Sequence, residues 1–329
     1  MRMAQYGTGH GHAPGKMMSL RTNPQIDVAG IYEPSAARRV ANEDTEAYRG
    51  MHWFESEEEL FAPDIIAVAS EGANDESLDQ TQRLVAAGKH VWYDKPAGNN
   101  WKQWQEVVGV ARQKELQLQC GYMFRYHPGF CKIASWAHSG LLGDVFSIRA
   151  HMSTTVATDD RERMSQFEGG ILFDLCGHVL DQVLWLQGDR PHNVTSFLRN
   201  DTGEVARFKD NTLAVFEFDR ALAFIDIAAM ETPPMARRFE VYGTRGSAMM
   251  EPMEPGDRIR LCLDEERSGF SRGEQVVTVE TRSRQDLYNL ELTAFLEAIE
   301  GKREPDRSYD FELLVQETLL RVAGELIAA

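Results

Sequence analysis

Long apolar runs are missing from this chain of 329 residues. The longest, such as Ile65–Ala69 and Ala221–Ile225, fall far short of the roughly 18 residues that cross a bilayer, so no membrane partner is expected. Cysteine is scarce and scattered. Cys120, Cys131, Cys176 and Cys262 stand 11, 45 and 86 residues apart, which excludes a CxxC pair and a disulfide-dense scaffold. Positive charge is also short, with 35 Lys+Arg against 51 Asp+Glu and a net of −16, so a nucleic-acid partner is not expected. The deficit has no focus: residues 1–120 carry 12 basic and 17 acidic side chains, and the remainder 23 and 34. The amino terminus leads straight into the strand-like Arg2–Tyr6 without an apolar leader, so a reduced, cytoplasmic protein is expected. What is present is ordinary for a globular protein, 43% hydrophobic and 26% charged, and the length suggests two domains.

Two halves follow different patterns. Up to about residue 120, strands at Met3–Tyr6, Asp27–Tyr32, Ile65–Ser70 and His90–Tyr93 alternate with helices at Met17–Arg21, Ser35–Ala41, Ser77–Ala87 and Trp101–Glu115. That alternation predicts an α/β domain with a parallel sheet over residues 1–120. Residues 121–329 read as an α+β domain. Its predicted strands are Val145–Val156, Val194–Arg199, Thr212–Phe218, Ala223–Met230, Arg237–Gly243, Ser247–Glu251, Arg258–Leu263 and Gln275–Val279, several with the alternation of antiparallel strands covered on one face. Its predicted helices are Ile171–Leu186, Gln285–Ile299 and Phe311–Ile327.

The first strand runs into Gly7-Thr8-Gly9-His10-Gly11-His12 and then a helix. A dinucleotide fold needs glycines there, for a tight turn and for close approach of backbone N–H groups to a diphosphate. The third glycine of GxGxxG would fall on His12, so the match is partial. Glu33 ends the second strand, 24 residues beyond Gly9, where an acid accepts ribose hydroxyls and repels the extra phosphate of NADP. Arg38 and Arg39 close by would soften that preference. NAD is therefore expected over NADP. His10 and His12 lack a nearby Cys or Asp to complete a ligand set, so no metal is expected.

Two further positions carry chemistry. Asp94-Lys95-Pro96 follows the strand His90–Tyr93, so Lys95 would stand where ligands bind an open parallel sheet and could stabilise charge on oxygen. A surface lysine before a turn proline is the plainer alternative. In Gly169–His178, Asp174 and His178 are four residues apart on a helix and share one face among apolar neighbours. A histidine beside a carboxylate can serve as general base; a buried structural histidine fits the same pattern.

Together these segments resemble the Gfo/Idh/MocA family of NAD(P)-dependent sugar and polyol oxidoreductases, over essentially the whole chain. Gly88–Pro96 is similar to the family's AGKHVxxEKP, Gly121–Pro128 to its segment entering the second domain, and Gly169–Asp181 to GGGxxxDxGxHxxD. Three positions depart from the pattern: Asp94 stands for Glu, His12 for glycine, and Ser70–Ser77 lacks a histidine often found there, with Asn74 and Ser77 in its place. The resemblance implies a Rossmann domain with a doubly wound parallel sheet, then a domain with an open, mostly antiparallel sheet through which dimers or tetramers form. It implies Lys95, Asp174 and His178 as catalytic residues, and cofactor contacts from Gly7, Thr8, Gly9, His10, Gly11, His12, Glu33, Ser70, Asn74, Asp94, Lys95 and Met123. Arg125, Tyr126 and His151 are candidates for reading substrate hydroxyls, by position alone. The expected activity is hydride transfer between a secondary hydroxyl of a neutral sugar, inositol or polyol and the nicotinamide. An enzyme that retains and recycles its NAD, or a non-catalytic nucleotide-binding protein, would carry much of the same sequence.

Overall fold

The computed structural model describes residues 1–326. The chain divides into two compact units, Met1–Met123 with Arg284–Leu313, and Phe124–Ser283 with the chain from Leu314 on.

The first unit is a five-stranded parallel sheet of β1 (Arg2–Tyr6), β2 (Asp27–Tyr32), β3 (Ala67–Ser70), β4 (His90–Tyr93) and β5 (Leu118–Cys120), in the order β2-β1-β3-β4-β5. The order reverses between β1 and β3, and such a switch point is where doubly wound sheets bind ligands, at the strands' carboxyl ends. Helices α1 (Ala13–Thr22), α2 (Ala36–Asn42), α3 (Ser77–Ala86) and α4 (Trp101–Gln113) connect the strands. Their patterning explains their docking. In α4 the buried set Trp104, Val107, Val108 and Ala111 forms one stripe at helical spacing, and the Asn100 side chain caps its start by accepting from Gln103 N. After α3 the chain reverses through Gly88 at φ +79°, with Gly88 N donating to Val85 O and Lys89 N to Leu84 O. This is a Schellman ending, and the left-handed turn favours glycine at that position.

The second unit holds α5 (Pro128–His138), β6 (Val145–His151), α6 (Thr158–Met164), α7 (Ile171–Gln187) and seven more strands: β7 (Asn193–Arg199), β8 (Asn211–Glu217), β9 (Leu222–Ala228), β10 (Arg238–Gly243), β11 (Gly246–Met250), β12 (Arg258–Leu263) and β13 (Gly273–Thr278). The sheet order is β13-β12-β11-β10-β6-β9-β8-β7, with β6 and β9 parallel and every other pair antiparallel. Alternate residues of β8 and β9 are buried and half-buried, and α7 packs on β9, β8 and β6. A helix covered on several sides is apolar nearly all round, and α7, between the sheet and helices α5 and α6, buries twelve of its seventeen residues.

Helix α8 (Arg284–Ile299) packs on α1 and β4, so it belongs with the first unit, whereas the division at residue 121 carried it with the second. Contacts far apart in sequence decide that, and no local pattern announces them. Helix α9 (Tyr309–Val322) ends short of the predicted Ile327, which lies outside the described residues. β5, α5 and α6 were not anticipated; three residues are too few for a period, and α6 is strongly charged. The strand predicted over Val145–Val156 ends at His151, because beyond it only Thr155 forms an isolated bridge.

Candidate active site and cofactor loop

The turn after β1 is pressed onto the β3–α3 loop. A Cβ on Gly7, at φ +80°, would come within 2.8 Å of Gly72 N, and one on Gly9 within 2.7 Å of Ala73 N. Gly11 differs, since a Cβ there would meet nothing within 4 Å. Packing requires the first two glycines, while the third leaves room over the start of α1 for a ligand's backbone contact. Thr8 and Glu33 tie the turn to the end of β2. Glu33 Oε2 accepts from Thr8 N and Thr8 Oγ1, both at 2.7 Å, and its Oε1 from Ser35 N at 2.8 Å and Arg38 Nε at 3.0 Å. Arg38 in turn reaches Glu76 Oε2 at 2.7 Å, so its guanidinium is held between two carboxylates.

His12 stands at the N-cap position of α1 without capping it through its side chain, and its Nδ1 lies 3.1 Å from the carboxylate of Asp94, which follows β4. His10 Nδ1 is 3.5 Å from the same carboxylate. No acid stands near His10 and His12 in sequence, but the fold supplies Asp94, 82 residues beyond His12, and the three residues could hold an ion. Below them Lys16 of α1, wholly buried, lies 3.0 Å from Asp94 Oδ2 and 2.9 Å from Glu71 Oε1, and its ammonium sits 4.4 Å from the Trp92 ring centroid. Burial acts against the Lys16 charge, but Asp94 and Glu71 outweigh it and raise its pKa. Burial likewise pushes the Asp94 carboxyl up, yet His10, His12 and Lys16 hold it well below the usual range. For Glu71 burial wins over Lys16, and its pKa stands well above the ordinary value. Burial lowers that of His12, against the pull of Asp94. Glu291 of α8, also near Lys16, is pushed up to about 7 by burial.

Asp94 also fixes the next residue, its Oδ1 accepting Lys95 N at 2.7 Å. Lys95 is only 3% exposed, at the carboxyl end of β4, the strand next to β3. Ser70 is buried at the end of β3, and its Oγ accepts from Thr81 Oγ1 at 3.0 Å; Asn74 lies in the loop that follows. Met123 is buried at the first unit's boundary.

In the second unit, Gly169 and Gly170 let α7 begin against other chain segments: a Cβ on Gly170, at φ +51°, would lie 2.5 Å from Lys209 O, and one on Gly169 2.7 Å from Ala323 Cβ. One turn into α7 comes Asp174, half-buried, and one turn further His178, 3% exposed with its ring 5.3 Å from that of Phe124. Arg125 forms a bidentate pair with Asp181, at 2.7 and 3.0 Å, and lies over Trp185. Tyr126 is half-buried beside it. His151 lies between two acids, its Nδ1 2.5 Å from Asp226 and its Nε2 3.1 Å from Glu231.

Two family models match, the oxidoreductase family with an NAD-binding Rossmann fold over residues 1–122 and the Gfo/Idh/MocA C-terminal domain over residues 130–249. The chain belongs to the Gfo/Idh/MocA oxidoreductases. Among these oxidoreductases it is 23% identical to the inositol 2-dehydrogenase of Rhizobium meliloti (strain 1021) over 263 residues, 78% of this chain and 77% of that one. It is also 23% identical to the rhizopine catabolism protein MocA of Rhizobium meliloti, over 73% of this chain and 75% of that one. A levoglucosan dehydrogenase solved with NADH and levoglucosan shares the fold at a TM-score of 0.83 and 15% identity, covering 98% and 97% of the two chains. The NAD-binding domain of this oxidoreductase therefore carries the glycine turn and Glu33 where a Rossmann fold presents them. Sequence reasoning missed Lys16, Glu71 and Glu291. An acid directly after a buried strand, as Glu71 follows β3, was the available signal, the same one that pointed to Glu33 and Asp94.

Proposed function

We propose an NAD-dependent dehydrogenase that oxidises a secondary hydroxyl of a neutral sugar, inositol or related polyol, with His178 as base and Lys95 and Asp174 assisting. The observation that carries it is the buried His178 one helical turn after Asp174 on α7, in a family member that also buries Lys95 at the end of β4. Gly7, Thr8, Gly9, Gly11 and Glu33 would hold the dinucleotide, with His10, His12, Ser70, Asn74, Asp94 and Met123 as further candidate contacts. NAD, when bound, supplies the hydride acceptor. His178 takes the hydroxyl proton as the carbonyl forms. Lys95 donates a hydrogen bond to that oxygen and stabilises its developing negative charge. Asp174 orients the imidazole or a neighbouring hydroxyl. The pairing of Glu33 with Arg38 supports NAD over NADP, since the guanidinium nearest the acid is already held by two carboxylates. Arg125 and His151 would bear on the substrate through Asp181 and through Asp226 and Glu231, the groups that engage them. The test is a panel of sugars and inositols with NAD and NADP, followed by reduced-nicotinamide absorbance. At least one should turn over, faster with NAD; no turnover across the cyclic polyols would overturn the reading.

We also propose a cytoplasmic homo-oligomer that assembles through the open face of the eight-stranded sheet. All four cysteines are free, and no described helix is long and apolar enough to cross a membrane. One row across the open face reads Thr195, Val215, Phe224, Arg149, Glu240, Met249, Arg260 and Val276, with Phe197, Leu222 and Val276 more than half exposed. Large apolar side chains exposed among charged ones, as Phe197, Leu222 and Val276 are on a face that also carries Arg149 and Arg260, suit a mixed interface between copies. Size-exclusion chromatography with light scattering should give a dimer or tetramer, and Phe197→Asp with Leu222→Asp should shift it toward monomer. A wild-type monomer at micromolar concentration would sink the proposal.

A further inference from the structure

We propose that His10, His12 and Asp94 form a binding site for a divalent transition-metal ion of the zinc class, with Glu71 as the fourth donor. One ring nitrogen of each histidine and one Asp94 oxygen lie within 4.8 Å of one another. Tetrahedral zinc with bonds of about 2.0–2.1 Å needs ligand atoms about 3.3 Å apart. The observed separations are close to that edge: 3.1 Å from His12 Nδ1 to Asp94, 3.5 Å from His10 Nδ1 to Asp94, and 3.9 Å from His10 Nδ1 to Glu71 Oε2. His10 Nδ1 accepts the His12 backbone N–H at 3.1 Å, so it carries no proton and has the tautomer a ligand needs; an ion would take over that lone pair.

Glu71 supplies an independent observation. It is wholly buried, and its Oε2, on the side of His10, has no hydrogen-bond partner. A buried carboxylate oxygen without a donor is costly unless something positive approaches it. Lys16 takes Glu71 Oε1 and Asp94 Oδ2 and leaves Glu71 Oε2 toward His10, while Asp94 Oδ1, which also accepts Lys95 N, faces His12. Lys16 is the buried ammonium between these acids, and Glu71 Oε2 lies on the far side of its carboxyl group from it. Two nitrogen and two carboxylate donors suit zinc or cobalt better than calcium or magnesium. His12, 13% exposed beside the open space at Gly11, gives the ion a way in.

The experiment uses the full chain, free of any histidine tag and stripped with chelator, titrated with zinc alone by calorimetry. One ion per chain is expected, with affinity at least tenfold weaker in His10→Ala and in His12→Ala. The cobalt-loaded protein should show the intense visible absorption of a four-coordinate site. If an alanine variant does not fold by circular dichroism, His12→Gln serves in its place with the same expected loss. Absence of stoichiometric binding, unchanged affinity in the variants, or a weak six-coordinate cobalt spectrum each overturns the site. None of these readouts involves hydride transfer, so failure here leaves the dehydrogenase reading untouched.

Discussion

His178→Ala is expected to lower kcat by at least a hundredfold on any substrate the wild type oxidises, with KM changed far less. Deprotonating a secondary alcohol near neutral pH without a positioned base forfeits a factor of roughly 10²–10⁴, and a group engaged mainly in the transition state shows its loss in kcat. Lys95→Met should fall in the same range, because on the proposed mechanism its ammonium stabilises charge that develops on the substrate oxygen as its proton leaves. Combined, the two variants should be less than multiplicative, since each acts on the same oxygen. His178 is buried on a helix core, so alanine also opens a cavity. Thermal melts separate that from chemistry: His178→Gln keeps most of the volume, should melt near wild type, and should be as slow as the alanine variant. A His178→Gln enzyme with wild-type kcat sinks the assignment of the base.

The parallel sheet was legible because β3 and β4 are short, largely apolar and almost wholly buried runs, each followed by a helix with an apolar stripe. The turn residues were legible too: Gly7 and Gly88 adopt left-handed φ values that the sequence order around them anticipates. Asp174 and His178 could be paired because a helix places residues four apart on one face. The charge cluster could not be found this way. Its members come from the glycine turn, α1, the ends of β3 and β4, and a helix nearly 200 residues further along, and only the packing of α8 on α1 and β4 brings Glu291 in. Arg125 and His151 show the same limit from the other side. Their positions suggested contacts to substrate, but nothing local shows that Asp181 engages one and that Asp226 and Glu231 flank the other. Spacing identifies residues that share an element, whereas pairing across elements depends on topology.

Lys16→Met is expected to destabilise the protein by about 3–5 kcal/mol at pH 8, the range for removing one partner of a buried charge pair. Glu71 and Asp94 would each lose a partner at 2.9–3.0 Å, and both are almost wholly buried. The cost should shrink toward pH 5, where the carboxylates can take up protons in place of the ammonium. Glu291 makes the pH dependence measurable on its own. Its carboxyl rises from an ordinary 4.5 to about 7 on folding. A group raised in the folded state contributes stability that is complete below its unfolded pKa and is lost as pH climbs through the folded value. Wild-type stability should therefore decline between about pH 4.5 and pH 8 on this account, by about 3 kcal/mol at 1.36 kcal/mol per pKa unit. Glu71 is raised for the same reason and adds to the decline, while Asp94, held low, loses its contribution only in strong acid. Glu291→Gln cannot ionise, so its urea-unfolding free energy should be flatter across pH 5–8 and should exceed wild type at pH 8. Parallel pH profiles for wild type and Glu291→Gln would show that the Glu291 carboxyl is not raised by burial beside Lys16.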